Sequence, residues 1–336
     1  MGDVWSVLID DCNRRGVSLH SRPIQEGDRV TFPKSKMVHL PDATLEVYEA
    51  GQGGAPIVLC HGWPEHAYSY RHQVPVLVER GYHCIVPNQR GYGASSRPAN
   101  VADYDIHHLT GDLVDLLDHY GFEDAIFVGH DWGAINVWNL ALLHPHRVRA
   151  IANLSVPFRA REASDPVAFW AERLGEDFYI VHFNHQPGVA ERVMEADVAS
   201  FLKRLYRTEQ WLSDKRPMSA KFWEQEAGSL PGKLMMSDAE LQVFVDAFER
   251  GGLMAPCHWY RNFTRNWETT AEIRQTITQP TLMIYGEFDT VPQMDMRDTV
   301  PQAEIHTLPC GHWIQQEEPE ATNALLLAWL DSLARS

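Results

Sequence analysis

The segment around residue 131 constrains the fold of this chain more than any other. The string AIFVGHDWGA begins at Ala125 and joins an apolar run to a turn between Gly129 and Gly133. Such a string is typical of a buried strand that enters a helix through a tight turn, where no room is left for a Cβ atom on either side. We therefore predict a strand, a sharp turn and a helix, with the Asp131 side chain raised into a pocket at the strand end.

Further short apolar runs have the same strand-like composition, and helical patterns separate them. Runs such as IVLC from Ile57 and LMIYG from Leu282 suit strands that are buried on both faces. Helical patterns over residues 107–120 and 134–143 imply crossover connections, so we predict an α/β fold with a mostly parallel central sheet. The predicted strands are residues 55–60, 82–87, 125–129, 148–155, 281–285 and 304–308.

The strand pattern stops near Pro157 and resumes at Thr281. The chain between these residues is helical, with strong helical patterns over residues 188–206 and 237–250. We interpret this block as an α-helical cap that is inserted in the α/β domain rather than appended to it. The predicted division is an N-terminal extension at 1–36, a first core part at 37–157, the cap at 158–268 and a second core part at 269–336.

Composition excludes several classes of partner. The formal net charge of −16 repels polyanions, so we expect no nucleic acid partner. No apolar run approaches the length of a membrane span, and the N-terminus lacks the basic start of a signal peptide. The five cysteines are odd in number and form no C-x-x-C pair, which favours reduced thiols and a cytoplasmic location.

Asp131 is the candidate nucleophile. The string from Gly129 to Gly133 has the form of a G-x-S-x-G nucleophile elbow with Asp131 in place of serine. A carboxylate, with an ordinary pKa of about 3.9, is ionised at neutral pH and suits displacement at a saturated carbon. The product is an ester of the enzyme that must then be hydrolysed. An Asp that only caps the following helix is the structural alternative, but capping does not explain both glycines.

Candidate partners of the nucleophile follow in the order acid, then histidine. Asp289 and His312 each come directly after a predicted strand. His312 would be the general base that activates water, and Asp289 would orient and stabilise its imidazole. Glu287 competes with Asp289 for the acid role, whereas the end of strand 148–155 offers no carboxylate.

A second loop, His61-Gly62-Trp63-Pro64, follows the strand at 55–60. We expect the backbone N–H groups of Trp63 and Trp132 to form an oxyanion hole for the tetrahedral intermediate of ester hydrolysis. We also expect Trp63, Pro64 and Trp132 to contact the substrate. Taken alone, the string is equally compatible with an ordinary Gly/Pro turn.

Together these residues resemble the soluble epoxide hydrolase family of α/β-hydrolases, and the resemblance covers nearly all of residues 37–330. The family's H-G-x-P stands at 61–64, its G-H-D-W-G elbow at 129–133 and its C-G-H-W at 310–313. The resemblance implies an α/β-hydrolase fold with an inserted α-helical cap and a cis peptide bond before Pro64.

The resemblance also implies two cap tyrosines that reach over the nucleophile. The string HWYRN, which contains Tyr260, matches the segment that carries the second. The first falls on Tyr179, where the spacing to Pro187-Gly188 is one residue off the expected pattern. Two phenolic O–H groups could bind the epoxide oxygen and protonate it as it becomes an alcohol. A core tyrosine on an amphipathic helix is the alternative for each.

The resemblance implies an epoxide hydrolase that makes vicinal diols through an ester on Asp131, hydrolysed by water that His312 and Asp289 activate. The expected substrates are a small apolar epoxide and water, and the expected role is detoxification. No cofactor and no metal are expected, because His182 and His185 lack a third ligand. The natural epoxide and a homo-oligomeric state remain open.

Haloalkane dehalogenase, which uses the same nucleophile, is the alternative reading. That enzyme usually carries Asn as a halide donor where this chain has Trp63, and two cap tyrosines would have no task there. A ligand-binding protein that has kept only the fold is a third class. It is disfavoured because candidates for nucleophile, base and acid are all present.

Overall fold

A single sheet of eight strands crosses the protein, and this computed structural model describes residues 32–208 and 232–335. The strand order across the sheet is β1-β2-β4-β3-β5-β6-β7-β8. The strands are β1 (Ser35–His39), β2 (Thr44–Ala50), β3 (Pro56–Cys60), β4 (His83–Asn88), β5 (Ala125–His130), β6 (Val148–Leu154), β7 (Thr281–Gly286) and β8 (Ala303–Leu308).

Helices follow most strands, and seven lie in the described residues between β6 and β7. The α-helices in the described residues are α1 (Gln73–Glu79), α2 (Ile106–Tyr120), α3 (Trp132–Leu143), α4 (Pro166–Leu174), α5 (Tyr179–His185), α6 (Val189–Ala196), α7 (Val198–Leu205), α8 (Asp238–Gly251), α9 (Met254–Arg261), α10 (Phe263–Thr269), α11 (Ile314–Glu317) and α12 (Pro319–Leu333). Short 3-10 helices occupy Ala67–Tyr70, Val101–Tyr104 and Pro145–Arg147.

The predicted strands are confirmed, since β3 to β8 each begin and end within one residue of the prediction. Across the sheet, each neighbouring pair in the order β4-β3-β5-β6-β7-β8 is parallel, whereas β1 with β2 and β2 with β4 are antiparallel. The mostly parallel sheet is thus confirmed. The sequence did not predict β1 and β2, because β1 is an edge strand with a single buried side chain and lacks an apolar run. This strand begins at Ser35, two residues before the predicted start of the core.

Two apolar layers sandwich the sheet, and alternate residues of β5 face each of them. Phe127 packs with side chains of α2 and α3, such as Leu113 and Leu140. Val128 packs on the opposite face with side chains of α1 and α12, such as Trp329. Burial of β5 on both faces explains its continuous apolar run.

In the described residues between β6 and β7 the regular structure is helical, apart from an isolated bridge between Arg207 and Leu234. The helical pattern predicted over residues 188–206 corresponds to two helices in the structure, α6 and α7. Asp197 breaks the helix with an extended backbone, and its side chain caps α7 by accepting the Ser200 N–H at 2.9 Å. A third apolar cluster joins these helices to the sheet through Trp63, Trp132 and Trp313.

The topology brings the candidate functional residues to one edge of the sheet. The parallel strands β3, β5, β6, β7 and β8 end at that edge. The Trp63 loop, Asp131, Asp289 and His312 follow the ends of β3, β5, β7 and β8, whereas Tyr179 and Tyr260 lie in the helices α5 and α9. Loops at the carboxyl ends of parallel strands are the usual site of ligands in α/β folds. No helix in the described part of the chain is long and apolar enough to cross a membrane.

A buried ion pair holds the turn after β4 against α2. Asp112 accepts two hydrogen bonds from Arg90, at 2.7 and 2.8 Å, and both side chains are buried. Asp112→Ala would leave the guanidinium buried and unpaired, so we expect the free energy of unfolding to fall by about 3–5 kcal/mol. Urea denaturation measures this change. Asp118→Ala on the same helix removes an exposed pair with Arg147 and should cost at most about 1 kcal/mol; equal losses in the two variants would contradict the prediction.

Candidate active site

Asp131 sits on a strained turn between β5 and α3. Its backbone has φ 51° and ψ −119°, a region that L-residues rarely adopt. The turn is closed so tightly that a Cβ on Gly129 would lie 2.5 Å from Oδ1 of Asn153. A Cβ on Gly133 would overlap the carbonyl of Cys60. The steric reason given for the two glycines is therefore confirmed, and Asp131 does not cap α3 with its side chain.

The loop after β3 lies directly against the Asp131 carboxylate. The N–H of Trp63 donates to Asp131 Oδ1 at 2.7 Å, and the N–H of Trp132 also bonds the carboxylate. Gly62 permits this approach, because a Cβ there would lie 2.6 Å from Oδ1. The peptide bond between Trp63 and Pro64 is cis, as the resemblance implied.

Burial raises the pKa of Asp131, since a carboxylate loses its hydration inside the protein. Charge on His312 and His130 opposes this effect, and so do the N–H groups of Trp63 and Trp132. In the buried site, two backbone N–H dipoles and two imidazoles take the place of the water that would otherwise solvate the Asp131 carboxylate. These four groups let the carboxylate carry a charge while it is buried.

His312 lies between two carboxylates. Its Nε2 is 3.7 Å from Asp131 Oδ2, and its Nδ1 is 3.0 and 3.2 Å from the two oxygens of Asp289. Burial alone would lower the pKa of His312, but Asp289 and Asp131 outweigh it and raise this pKa to about 9. Burial also opposes the charge of Asp289, yet His312 and Ser155 hold its pKa below the usual value. Glu287, the competing acid, is exposed.

Ser155, at the end of β6, is a polar neighbour that the sequence did not reveal. Its hydroxyl donates to Asp289 Oδ2 at 2.6 Å and lies 3.1 Å from His312 Nδ1. Its φ of 69° turns the side chain toward this pair. Because the end of β6 offers no carboxylate, no functional residue was predicted there. Its place beside β5 in a parallel sheet is the signal that could have identified it.

Tyr179 and Tyr260 come together over the elbow. Their rings lie 5.6 Å apart between centroids, and their side chains are hydrogen-bonded to each other. The Tyr260 ring packs edge-on against Trp63 at 5.4 Å and Trp132 at 5.2 Å. Burial raises the pKa of both phenols well above the ordinary value, so both remain neutral donors at physiological pH. Pro64 is buried in the same loop as Trp63, and its carbonyl accepts the Tyr206 O–H.

A second buried pair, Glu65 and His130, lies behind the nucleophile. His130 Nδ1 is 2.6 Å from Glu65 Oε2, and its Nε2 is 2.7 Å from the carbonyl oxygen of His312. Both ring nitrogens of His130 therefore lie within hydrogen-bond distance of an acceptor oxygen. Burial opposes ionisation of Glu65, but His130 and the Gly62 N–H hold its pKa to about 2. The sequence signal was a Glu directly after H-G-x-P.

The predicted cap segment is rich in Trp, Phe and Met, a composition that suits an apolar substrate; four of these residues, Trp211, Met218, Phe222 and Trp223, lie outside the described residues. In the part that is described, no group of three or more His, Cys, Asp or Glu side chains could hold a metal ion. The expectation of a metal-independent reaction stays a prediction.

Comparison with known proteins agrees with this geometry. A family model of the alpha/beta hydrolase fold matches residues 55–319, so the chain is an α/β hydrolase, here with aspartate at the elbow. Epoxide hydrolase A of Mycobacterium tuberculosis is 42% identical over 318 residues, covering 90% of this chain and 98% of the relative. The crystal structure of epoxide hydrolase A from Mycobacterium thermoresistibile has a TM-score of 0.81 at 39% identity, covering 89% and 98% of the two chains.

Bifunctional epoxide hydrolase 2 of Sus scrofa is 34% identical over 308 residues; the match covers 88% of this chain and 55% of that protein. The chain belongs to the epoxide hydrolase family.

The contact of Gly62 with the nucleophile makes a direct test of the site. Gly62→Ala would push the Trp63 loop away from Asp131, because the new Cβ would overlap the elbow. A displacement of about 1 Å at a reacting group can cost about 10²-fold in rate, and we expect a loss of at least that size in styrene oxide hydrolysis. Gly111→Ala in α2 is the control, since its Cβ would meet nothing within 4 Å. Wild-type turnover by Gly62→Ala would contradict this account of the loop.

Proposed function

We propose that the protein converts epoxides to vicinal diols through a covalent ester on Asp131. The observation that carries this proposal is the buried Asp131 carboxylate, bonded by the N–H groups of Trp63 and Trp132 and faced by His312 Nε2 at 3.7 Å. The named activity of the relatives supports the choice of epoxides. Asp131, His312 and Asp289 would form the catalytic triad.

In the first step, Asp131 attacks a carbon of the epoxide. Trp63 bonds Oδ1, so Oδ2 is the oxygen free to attack. The C–O bond of the ring breaks, and its electron pair moves to the epoxide oxygen. Tyr260 and Tyr179 bind that oxygen and supply its proton, because their raised pKa values keep them protonated until charge develops.

In the second step, water attacks the carboxyl carbon of the ester. His312 takes the proton of that water, and Asp289 stabilises the resulting imidazolium. In the free enzyme, the charge of Asp131 helps to raise the pKa of His312. Esterification removes that charge. The pKa of His312 therefore falls once the ester forms, and the imidazole becomes a base. The Trp63 and Trp132 N–H groups hold the oxyanion, which collapses as the C–O bond of the ester breaks. The leaving alkoxide takes the proton held by His312 and departs as the diol, and the second proton of the water, left on the carboxyl group, restores the tyrosine.

We infer that residues 158–268 act as a cap over the elbow, since α5 and α9 in this segment carry Tyr179 and Tyr260. The rings of Trp63, Phe183 and Phe263 pack around these tyrosines, which suits an apolar epoxide. Haloalkane dehalogenation is not favoured, because the relatives compared are epoxide hydrolases. The domain boundaries, a cytoplasmic location, a role in detoxification and a homo-oligomeric state stay predictions.

A variant of His312, the proposed base, should separate ester formation from ester hydrolysis. His312→Gln should still open the ring, because Asp131 needs no base, but it should stall as the ester. With styrene oxide in excess it should consume about one epoxide per active site, and intact mass should show an adduct on the peptide that contains Asp131. Asp131→Ala should neither turn over nor carry the adduct. Continued turnover by His312→Gln, or an adduct on another peptide, would refute the mechanism.

The tyrosine assignment is tested by removing one hydroxyl at a time. Tyr260→Phe and Tyr179→Phe should each slow ester formation, since one lost donor to a developing oxyanion costs about 10²–10³-fold. Rapid-quench measurement of ester formation gives this rate. Tyr104→Phe is the control, because its buried hydroxyl donates to the Pro98 carbonyl away from the elbow. An unchanged rate in Tyr179→Phe would mean that Tyr179 is not the first cap tyrosine.

A further inference from the structure

The turn that carries His312 is bridged by a carboxylate with no role in the steps above. Glu317 Oε2 accepts the N–H of Gly311 at 2.9 Å, and its Oε1 accepts the N–H of Trp313 at 2.9 Å. The backbone N–H groups of the two residues that flank His312 are thus bonded to one side chain. Glu317 lies in α11, which follows directly after this turn.

The other polar groups of the turn are bonded as well. The carbonyl oxygen of His312 lies 2.7 Å from His130 Nε2, and the indole N–H of Trp313 donates to the carbonyl of Leu205 at 2.9 Å. The Trp313 ring also packs against the His312 ring at 4.7 Å. Asp289 holds the ring at Nδ1 and Trp313 packs against it, so the place of Nε2 relative to Asp131 depends on the backbone of the turn, which Glu317 bonds at Gly311 and Trp313.

Burial of the Glu317 carboxylate is energetically unfavourable, which is consistent with a specific role for this side chain. Burial raises its pKa to about 7, although the two N–H groups and His312 oppose this effect. A carboxyl group with these partners gives two acceptors at a fixed separation. A neutral amide gives one acceptor and would turn its NH₂ toward the other peptide N–H.

We propose that Glu317 is a positioning residue for the base: it bridges the peptide N–H groups that flank His312 and thereby holds Nε2 in line for water to attack the Asp131 ester. This inference rests on the proposed function, because it assigns Glu317 to the second step alone. Attack by Asp131 on the epoxide does not use His312, so Glu317 should not affect that step.

A positioning role and a purely electrostatic role of Glu317 predict different effects of Glu317→Gln on the rate of ester hydrolysis. If Glu317 acted only through its charge, Glu317→Gln would lower the pKa of His312. More of the imidazole would then be neutral at pH 7, and ester hydrolysis would be unchanged or faster. Loss of positioning instead makes ester hydrolysis slower.

The test compares Glu317→Gln with Glu318→Gln in single-turnover experiments on styrene oxide, following ester formation and ester decay by intact mass. Glu318 is the matched control, because Glu318→Gln removes the same charge one residue away, and in the described residues the Glu318 side chain accepts no hydrogen bond. Glu317→Gln should form the ester within about twofold of the wild-type rate, because His312 is idle in that step, and should hydrolyse it about 10–100-fold more slowly. Glu318→Gln should match wild type in both steps.

The outcomes separate the two proposals. Wild-type or faster ester decay in Glu317→Gln, or equal slowing of both steps, overturns the positioning role. Absence of any ester in His312→Gln overturns the proposed function itself. Each rate is measured on the molecules that form the ester, so partial loss of folded protein does not change the result. If Glu317→Gln yields no folded protein, Glu317→Asp is read by the same criteria, since the shorter side chain cannot span both N–H groups.

Discussion

The buried charge of Asp131 is the constraint on which the rest of the site depends. A carboxylate removed from water is stable only where fixed dipoles and opposite charges replace its hydration. Here the replacements are the Trp63 and Trp132 N–H groups and the His312 and His130 imidazoles. Each must approach within a few ångströms, which is why glycine stands at the points of closest contact. The strained φ of Asp131 belongs to the same arrangement.

A second layer of buried polar groups fixes the first. Glu65 and His130 connect the Trp63 loop to the carbonyl of His312, and Glu317 bonds the peptide groups on either side of that residue. Buried polar networks stabilise one arrangement only when their members are paired. These groups contact backbone rather than reacting atoms. Their effect is to reduce the freedom of the loops that carry the nucleophile and the base.

The helical segment closes the site from above while staying bonded to the sheet domain. The indole N–H of Trp259 donates to the Arg90 carbonyl, and Tyr260 follows it in α9 above the elbow. Tyr179 meets Tyr260 from α5, so two helices that are far apart in sequence contribute the two phenols. Aromatic packing among these helices and Trp63 leaves the Asp131 side chain largely buried, and burial strengthens the charge interactions there.

The sequence by itself determined the strands β3 to β8 and the elbow that carries Asp131. Buried strands require apolar runs, and a tight turn requires Gly129 and Gly133, so these features are written locally. The sequence could not determine the break at Asp197, which depends on packing between α6 and α7, or the edge strand β1, whose pattern is weak. It favoured Asp289 over Glu287, but only the tertiary structure places Asp289 against His312 Nδ1 and leaves Glu287 exposed. It did not reveal Glu317, whose bonds to the turn depend on how α11 folds back on it, or Ser155, which meets His312 only because the tertiary structure brings the ends of parallel strands to one edge.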